Sequence, residues 1–248
     1  MMNKAIIITG ANGNIGSFFA KRYFKKDDKL ILCIHENSDR IANILDNENV
    51  RIIKTNLVDL SNFQTQLNEI LTETNWHLDR MIHTTTIRSH DFKPLAETDA
   101  KLWENIIRVN VMGTFNILKT LIPVFRKNGA GKIVLFGSNV TRIGLPFGSA
   151  YSASKAALAN ITRTVAAEEA QNNIIVNIIS PGPVKIDDSH FSESYRKFRE
   201  EYYRKNLREI PLQRCASFED LFGLCNFLLS AENSYITGEE FFVTGGKV

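Results

Sequence analysis

Seven short runs of apolar, largely β-branched residues recur along this chain, separated by longer segments with helical periodicity. Because the runs are apolar almost throughout, they are typical of strands that are covered on both faces of a sheet. The predicted strands are 4–9, 29–34, 50–55, 80–85, 131–138, 174–180 and 239–244. The predicted helices are 14–26, 61–75, 99–127, 150–172 and 217–230. This alternation predicts an α/β fold with a doubly wound, mainly parallel seven-stranded sheet and helices on both faces.

The composition is that of an ordinary globular protein. Of the 248 residues, 44% are hydrophobic and 23% are charged. Nothing marks a boundary between two parts, so we expect residues 1–248 to form one domain. The net charge is only +3, and no run of like charges forms a patch for nucleic acid. No apolar stretch is long enough to span a membrane, so we expect neither a nucleic-acid nor a membrane partner.

The cysteines and histidines show no pattern of a disulfide framework or a metal site. Cys33, Cys215 and Cys225 are odd in number and widely scattered. They indicate reduced thiols in a cytoplasmic protein. The five histidines share no metal-ligand spacing. We therefore expect no bound metal.

The stretch TGANGNIG, residues 9–16, follows the first predicted strand and opens the first predicted helix. Gly10 permits a tight turn, Gly13 lets the backbone approach a pyrophosphate, and Gly16 lets the helix pack close to the sheet. The helix N-terminus then offers free N–H groups to phosphate. A dinucleotide site is predicted here, with a purely structural turn as the alternative. Its candidate residues are Gly10, Asn12, Gly13, Asn14, Ile15 and Gly16.

The stretch YSASK, residues 151–155, places a phenol and an amine one helical turn apart. Hydride transfer to a carbonyl builds negative charge on oxygen, which a proton donor must meet. An ordinary phenol has a pKa near about 10, and the ammonium group of Lys155 on the same helix face would lower the pKa of Tyr151. The pair is therefore predicted to be a tuned proton donor. The alternative is two unrelated side chains on a helix surface.

Further motifs follow in a consistent order. They are NVMGTF (110–115), Ser138 thirteen residues before YSASK, SPGPV (180–184) and YITGEEFFVTGG (235–246). Together with the glycine turn they resemble the short-chain dehydrogenase/reductase family, in its shorter-chain branch, and 3-oxoacyl carrier-protein reductases within it. The resemblance covers nearly all of the chain. It implies a Rossmann-like fold and an NAD(P)(H)-dependent oxidoreductase that interconverts a ketone and a secondary alcohol.

The resemblance also implies individual roles. Ser138, at the end of the fifth predicted strand, would donate a hydrogen bond to the substrate oxygen beside Tyr151. Asn110 would hold a water that relays protons to Lys155, and Lys155 would also hold the nicotinamide ribose. Tyr151 is also implied to contact the cofactor. Further cofactor contacts are implied at His35, Asn56, Leu57, Thr84, Pro181, Gly182 and Val184.

Three positions depart from the family pattern. The family's Asn-Asn-Ala-Gly stretch is replaced by HTTT (83–86), where Thr86 puts a branched side chain in place of a glycine. His83 is predicted to tie neighbouring strands through its ring nitrogens rather than to act in catalysis. Lys185 and Ile186 replace a threonine that would touch the nicotinamide. Asn56 replaces an aspartate but keeps an acceptor for the adenine amino group.

The choice between the two dinucleotides depends on the end of the second strand. NAD selectivity needs an acidic residue there to bind the ribose 2′-hydroxyl. Ile34 occupies that place, followed by His35 and then Glu36. No arginine is seen to pair with a 2′-phosphate, and Glu36 could turn inward and restore a preference for NAD. The pattern favours NADP(H), with NAD(H) left open.

The segment of about 186–210 is predicted to form a lid over the substrate. Aromatic residues at helical spacing give it one aromatic face, which consists of Phe191, Tyr195, Phe198 and Tyr202. Seating the lid on the body is favoured over contact with an apolar substrate. An acyl-carrier substrate is the second possibility, but of the expected basic docking residues only Arg126 and Lys127 are present.

Three functions remain open at this stage. The first is the oxidoreductase with a small-molecule carbonyl or alcohol substrate. The second is a dinucleotide-binding regulator or scaffold without turnover, and the third is a lyase or isomerase that uses the cofactor transiently. The resemblance also implies a homodimer or homotetramer, formed by pairing of the helices at 99–127 and 150–172.

Overall fold

Seven parallel strands form a single sheet in this chain. The computed structural model describes residues 3–88, 91–186 and 192–247, without the side chains of Tyr195 and Phe198. The strands are β1 (Lys4–Thr9), β2 (Lys29–Ile34), β3 (Val50–Lys54), β4 (His77–His83), β5 (Gly131–Phe136), β6 (Ile174–Pro181) and β7 (Glu240–Val243). Their order across the sheet is β3-β2-β1-β4-β5-β6-β7, and every neighbouring pair is parallel. The predicted doubly wound sheet is confirmed.

Eight α-helices are found in the described residues. They are α1 (Asn14–Phe24), α2 (Leu60–Thr74), α3 (Ala100–Ile107), α4 (Gly113–Asn128), α5 (Val140–Ile143), α6 (Ser149–Glu169), α7 (Glu193–Leu207) and α8 (Phe218–Leu229). All five predicted helices are present, but the one expected at 99–127 is split into α3 and α4 by a π-helical turn at Arg108–Met112. The helix α5 was not predicted, and α7 was indicated only by the helical spacing of aromatic residues in the predicted lid. In the part of the chain that the structure describes, no helix has the length and apolarity needed to cross a membrane.

Successive side chains of a strand point to opposite faces of the sheet. Because these strands are apolar almost throughout, both faces need to be covered by helices. In β1, Ile7 packs on one face with side chains from α2, α4 and α6, among them Phe63 and Phe125. Its neighbours Ile6 and Ile8 pack on the other face against α1 and α8. Side chains on both faces of β1 are therefore buried.

The strand order reverses between β1 and β4. From β1 the chain proceeds outward to β2 and β3 and then returns to β4 on the other side. The loops that follow β1 and β4 therefore diverge and leave a crevice at the carboxyl ends of the strands, which is where parallel sheets bind ligands. The glycine turn and the HTTT stretch both lie at this crevice.

Candidate active site

The glycine turn after β1 is packed too closely for larger residues. Gly10 has a φ of +65°, in the region that favours glycine, and a Cβ on Gly16 would lie 2.2 Å from the carbonyl oxygen of Gly10. The helix α1 begins after Gly13, and no described side chain caps it. Its first N–H groups therefore remain available to a ligand. This geometry agrees with the predicted dinucleotide turn.

A cleft of about 510 Å³ opens at the carboxyl ends of the strands. It brings together most of the residues that sequence reasoning selected, on the glycine turn, after β4, after β5, on α6 and after β6. These are Gly13, Asn14, Ile15, Thr84, Ser138, Tyr151, Lys155, Pro181, Gly182 and Val184. A volume of this size is typical of a small-molecule or cofactor site.

The remaining predicted residues do not line this cleft. They are Gly10, Asn12, Gly16, His35, Asn56, Leu57 and Asn110. Some of them have other contacts in the protein: the Asn56 side-chain oxygen accepts a hydrogen bond from the backbone N–H of Val58 at 3.1 Å, and the Leu57 carbonyl oxygen accepts one from Asn116 at 2.9 Å. Their assignment to the cofactor stays a prediction.

Tyr151 and Lys155 lie on α6 and are almost completely buried, at 4% and 2% exposure. The Lys155 ammonium lies 5.6 Å from the centroid of the Tyr151 ring. It also donates a 2.7 Å hydrogen bond to the carbonyl oxygen of Phe136, the last residue of β5. The side chain of Ser138, two residues further on, also lowers the pKa of Tyr151. The carboxyl end of β5 thus positions both partners of the phenol.

Two cations make this phenol more acidic. Burial raises the pKa of Tyr151, but the charges of Lys155 and Arg88 lower that pKa by more. The Arg88 guanidinium carbon lies 4.9 Å from the centroid of the Tyr151 ring. Burial lowers the pKa of Lys155, with Tyr151 raising it and Arg88 lowering it further. The Tyr151 hydroxyl is therefore better matched to proton transfer near neutral pH than an ordinary phenol.

Asn110 lies behind the cleft in the π-helical turn and is 1% exposed. Its side-chain oxygen accepts from the N–H of Ile87 at 2.8 Å, and its amide donates to the Ile87 carbonyl oxygen at 3.0 Å. The amide also donates to Ser154 at 3.0 Å, and Ser154 donates to the Tyr151 carbonyl oxygen at 2.7 Å. Asn110 therefore joins the loop after β4 to the helical turn that bears Tyr151.

The HTTT stretch contributes to both the core and the cleft. The Thr84 hydroxyl donates a 2.7 Å hydrogen bond to the carbonyl oxygen of Thr9, so it joins the ends of β4 and β1 at the crevice. Thr84 and Thr86 both line the cleft. Thr86 thus lies at the cleft, at the place where the family pattern has a glycine.

His83 connects β4 to the neighbouring strand β1, as predicted, and its second ring nitrogen contacts the helix α4 instead of another strand. One ring nitrogen lies 2.7 Å from the hydroxyl of Thr9 on β1, and the other lies 2.9 Å from the hydroxyl of Thr114 on α4. The side chain is 1% exposed. Burial, together with the charge of Lys155, lowers the pKa of His83 to about 3. The imidazole is therefore neutral in the folded protein near neutral pH.

This buried neutral imidazole should make the protein sensitive to acid. Unfolding exposes His83, whose pKa then returns to about 6.5. Between that value and about 3, the unfolded state binds one more proton, so the unfolding free energy falls by up to about 1.4 kcal/mol per pH unit as pH decreases. In urea unfolding from pH 7 to pH 4, we expect His83→Asn to lack this component of the slope. Parallel pH slopes for the two proteins would contradict it.

The segment after β6 is connected to α7 through Tyr203. The Tyr203 hydroxyl accepts a hydrogen bond from the N–H of Ile186 at 3.1 Å and donates to the carbonyl oxygen of Val184 at 3.2 Å. Arg199 also hydrogen-bonds this hydroxyl. Arg199, Tyr202 and Ile186 all line the cleft. In the predicted aromatic face, Phe191 and the side chains of Tyr195 and Phe198 lie outside the described residues.

Sequence reasoning missed several residues of this site. Arg40 follows β2 and folds back on the glycine turn: its N–H donates to Asn12 at 2.9 Å and its guanidinium donates to Asn14 at 2.5 Å. Arg88 and Arg199 line the cleft beside Tyr151 and Ile186. None of the three arginines belongs to a recognisable motif. The one sequence signal for Arg40 and Arg88 is their place in the chain. Each follows a strand whose carboxyl end faces the ligand crevice.

Known proteins are similar to this chain over nearly its whole length. Residues 10–247 match the family described as enoyl-(acyl carrier protein) reductase. The 3-oxoacyl-[acyl-carrier-protein] reductase FabG of Buchnera aphidicola subsp. Acyrthosiphon pisum is 30% identical over 241 residues, 96% of this chain and 95% of that protein. Dehydrogenase/reductase SDR family member 4 of Sus scrofa is 28% identical over 250 residues, 98% of this chain and 87% of that protein.

Solved structures share the fold. The structure described as ElxO with NADP bound has a TM-score of 0.86 at 24% identity and covers 99% of both chains. A 3-oxoacyl-[acyl-carrier protein] reductase with bound NAD from Brucella melitensis has a TM-score of 0.84 at 23% identity, over 99% of this chain and 91% of that one. The chain therefore belongs to the short-chain dehydrogenase/reductase family of NAD(P)-dependent oxidoreductases.

Proposed function

We propose that the protein interconverts a ketone and a secondary alcohol, with Tyr151 as the group that exchanges a proton with the substrate oxygen. The observation that carries the proposal is that Tyr151 is buried beside Lys155 and Ser138 at the carboxyl end of β5. The cleft at which these residues lie also reaches the glycine turn. A proton donor and a dinucleotide turn in one cleft are what carbonyl reduction needs.

The residues of the cleft fit a nicotinamide dinucleotide. The backbone at Gly13, Asn14 and Ile15 would hold the pyrophosphate, because the uncapped start of α1 lies there and a side chain on Gly16 would disrupt the turn. Lys155 would hold the nicotinamide ribose, with Thr84 beside it in the same cleft. The bound reduced nicotinamide would supply the hydride that the carbonyl carbon accepts.

The side chains would supply the rest of the reaction. The Tyr151 hydroxyl donates to the carbonyl oxygen of the substrate and passes its proton as the alcohol forms. Ser138 donates a second hydrogen bond to the same oxygen, so that the developing charge is met at two points. The Lys155 ammonium stabilises the phenolate that remains. Asn110 positions Ile87 and Ser154 around the site, and the water relay implied for it stays a prediction.

An assay with both reduced dinucleotides and a panel of ketones tests this proposal. Consumption of reduced nicotinamide with formation of the alcohol is the expected result. Binding of dinucleotide with no consumption across the panel would instead support a regulator or scaffold. Product formation with unchanged net cofactor would support a lyase or isomerase.

For the cofactor we propose a preference for NADP(H). The support is Arg40, whose guanidinium lies against the first turn of α1 through its hydrogen bond to Asn14. A fixed cation beside the glycine turn suits a 2′-phosphate. Glu36, the residue that could favour NAD, has a side chain that is 74% exposed and lies 3.8 Å from His35.

Arg40→Gln should therefore reduce the affinity for NADPH far more than for NADH. A charge-assisted hydrogen bond contributes about 1.5–3 kcal/mol, which corresponds to about tenfold or more in the dissociation constant. Fluorescence titrations with each dinucleotide would measure it. Arg51→Gln is the matched control, because Arg51 lies at the start of β3, with its guanidinium over the Trp76 ring. Equal losses for NADPH and NADH in Arg40→Gln would contradict the assignment.

Three further proposals concern the protein as a whole. Residues 1–248 would form a single domain in which the segment of about 186–210 covers the cleft. The hydrogen bonds of Tyr203 to the chain after β6 support this arrangement.

A homodimer or homotetramer is supported by Met112 and Phe115, each 46% exposed. A reducing, cytoplasmic location is supported by the three free thiols. Sedimentation velocity would test the oligomeric state.

A further inference from the structure

A carboxylate on the last strand is buried behind the loop that bears Ser138. Glu240 is the first residue of β7, and its side chain is only 9% exposed. The proposed reaction gives this carboxylate no role. Burial of a charged group costs free energy unless hydrogen bonds replace the lost water. The partners of Glu240 therefore show what its burial achieves.

One oxygen of this carboxylate accepts hydrogen bonds from two hydroxyl groups. The Ser180 hydroxyl, near the end of β6, donates to Oε1 of Glu240 at 2.6 Å. The Thr141 hydroxyl on α5 donates to the same oxygen at 2.9 Å. Hydrogen bonds to a charged acceptor are stronger than those between neutral groups. Glu240 thus joins the end of β6 to the helix α5.

Both hydroxyl groups contact the loop between β5 and α5. The Ser180 hydroxyl packs so closely against Gly137 that a Cβ on this glycine would collide with it. The Thr141 hydroxyl lies 3.1 Å from the carbonyl oxygen of Ser138, and the Thr141 N–H donates to the same carbonyl oxygen at 3.2 Å. One partner of Glu240 therefore contacts the residue before Ser138, and the other contacts Ser138 itself.

Ser138 lies between two regular elements. The strand β5 ends at Phe136 and the helix α5 begins at Val140, so the position of the Ser138 hydroxyl depends on the path of a short loop. Misplacing a catalytic group by about 1 Å can cost about a hundredfold in rate. The loop that carries this hydrogen-bond donor must therefore be held in place.

We propose that Glu240 is a positioning residue, which holds Ser138 where it donates to the substrate oxygen. This inference rests on the proposed function, in which Ser138 supplies one of the two hydrogen bonds to that oxygen. Glu240 does not line the cleft. It acts through the hydroxyl groups of Ser180 and Thr141 and does not contact the reacting atoms.

The acceptor oxygen of Glu240, rather than its charge, does this positioning. The second carboxylate oxygen lies 3.5 Å from Arg163 on α6, whose side chain is 56% exposed. Ion pairs that are open to solvent contribute little. Glutamine has nearly the same shape and keeps an oxygen that can accept two hydrogen bonds. Glu240→Gln should therefore preserve the position of Ser138, whereas Glu240→Ala should not.

Steady-state reduction of the best ketone of the panel tests this role. Glu240→Ala should lower kcat by about tenfold, a part of the roughly hundredfold or more that loss of a positioned donor costs. KM for the ketone should stay within about twofold of the wild type, because the lost interaction serves the transition state. Glu240→Gln should restore kcat to within about twofold of the wild type.

The neighbouring acid provides the matched control. Glu239→Ala removes the same side chain from an exposed position one residue away. It should leave kcat and KM unchanged. Thr141→Val keeps the shape of its side chain but removes one of the two hydroxyl groups, so it should show a loss in kcat between those of Glu240→Gln and Glu240→Ala.

A double-mutant cycle separates the positioning of Ser138 from a general loss of structure. When Ser138→Ala is already present, adding Glu240→Ala should lower kcat by less than about twofold, because the hydroxyl to be positioned is gone. The cycle with Thr141→Val gives the same test without removing the buried carboxylate.

Three kinetic results would overturn the inference. They are the same loss from Glu240→Ala with and without the Ser138 hydroxyl, an equal loss in Glu240→Gln and Glu240→Ala, and a wild-type kcat in Glu240→Ala. A change confined to KM would also contradict it, because it would assign Glu240 to substrate binding.

Amide hydrogen exchange separates this inference from the proposed function. The Asn139 N–H donates to the carbonyl oxygen of Pro181 at 3.0 Å, in the loop that Glu240 is proposed to hold. In Glu240→Ala the amides of residues 137–141 should exchange about tenfold faster, with no change in Glu239→Ala. Unchanged exchange overturns the inference even if ketones are reduced. The absence of nicotinamide consumption by the wild type overturns only the proposed function.

Discussion

Tyr151→Phe should lower kcat/KM for ketone reduction by about a thousandfold, within the range of positioned acid catalysis. The substitution removes only the hydroxyl, which is the proposed proton donor. The ring should remain in its place, because Tyr151 is only 4% exposed. Initial rates with NADPH and the best ketone of the panel would measure the effect.

The same variant should still bind dinucleotide with an affinity within about threefold of the wild type, because no hydroxyl is needed for the pyrophosphate turn. Tyr235→Phe is the matched control, since Tyr235 is 96% exposed and distant in sequence from the cleft motifs. A Tyr151→Phe protein that binds NADPH and retains more than a tenth of the activity would refute the role of the phenol.

Lys155→Met should reduce activity by about a hundredfold and shift its pH dependence. In alcohol oxidation the phenolate of Tyr151 must accept the proton, so the rate rises as pH increases through the pKa of Tyr151. Burial raises that pKa, and Lys155 is the first of the charges that lower it. Without the ammonium, the pKa of Tyr151 rises and the inflection of the pH–rate profile should move upward by about one unit or more.

Stability provides the control for this variant. Lys155 is 2% exposed, and replacing a buried charge with an apolar side chain of similar length is often neutral for folding. The melting temperature should therefore stay close to that of the wild type, as it should in Lys101→Met, where the lysine is exposed on α3. An unchanged inflection in a folded Lys155→Met protein would show that the ammonium does not tune the phenol.

The elements that could be predicted are those with a local pattern. The strand β1 is confirmed at its predicted bounds of 4–9 because residues 5–8 form a continuous apolar run that leads into a glycine turn. The helix expected at 99–127 is interrupted by a π-helical turn. The interruption could not be predicted, because such a turn leaves no periodic signature in the sequence. That turn places Asn110 where its side chain reaches Ile87, and no spacing rule could have indicated the contact.

The short helices illustrate the same limit. The helix α5 spans only Val140–Ile143, too few residues for a 3.6-residue period to be recognised. The helix α7 lies in a segment whose aromatic residues have helical spacing, but the many charged residues around them gave no reason to single out one arginine. Its cleft-lining residue Arg199 could not be selected from that pattern.

The sequence by itself determined the layered α/β fold, the glycine turn and the pairing of Tyr151 with Lys155. These depend on periodicity and on steric or electrostatic demands within a few residues, which a sequence shows directly. Only the tertiary structure decided that Arg40 hydrogen-bonds Asn14, that Asn110 hydrogen-bonds Ile87, and that the Arg88 guanidinium lies over the Tyr151 ring. Such contacts depend on strand order and on the path of loops between strands, and these are set by packing of the whole chain rather than by any local run of residues.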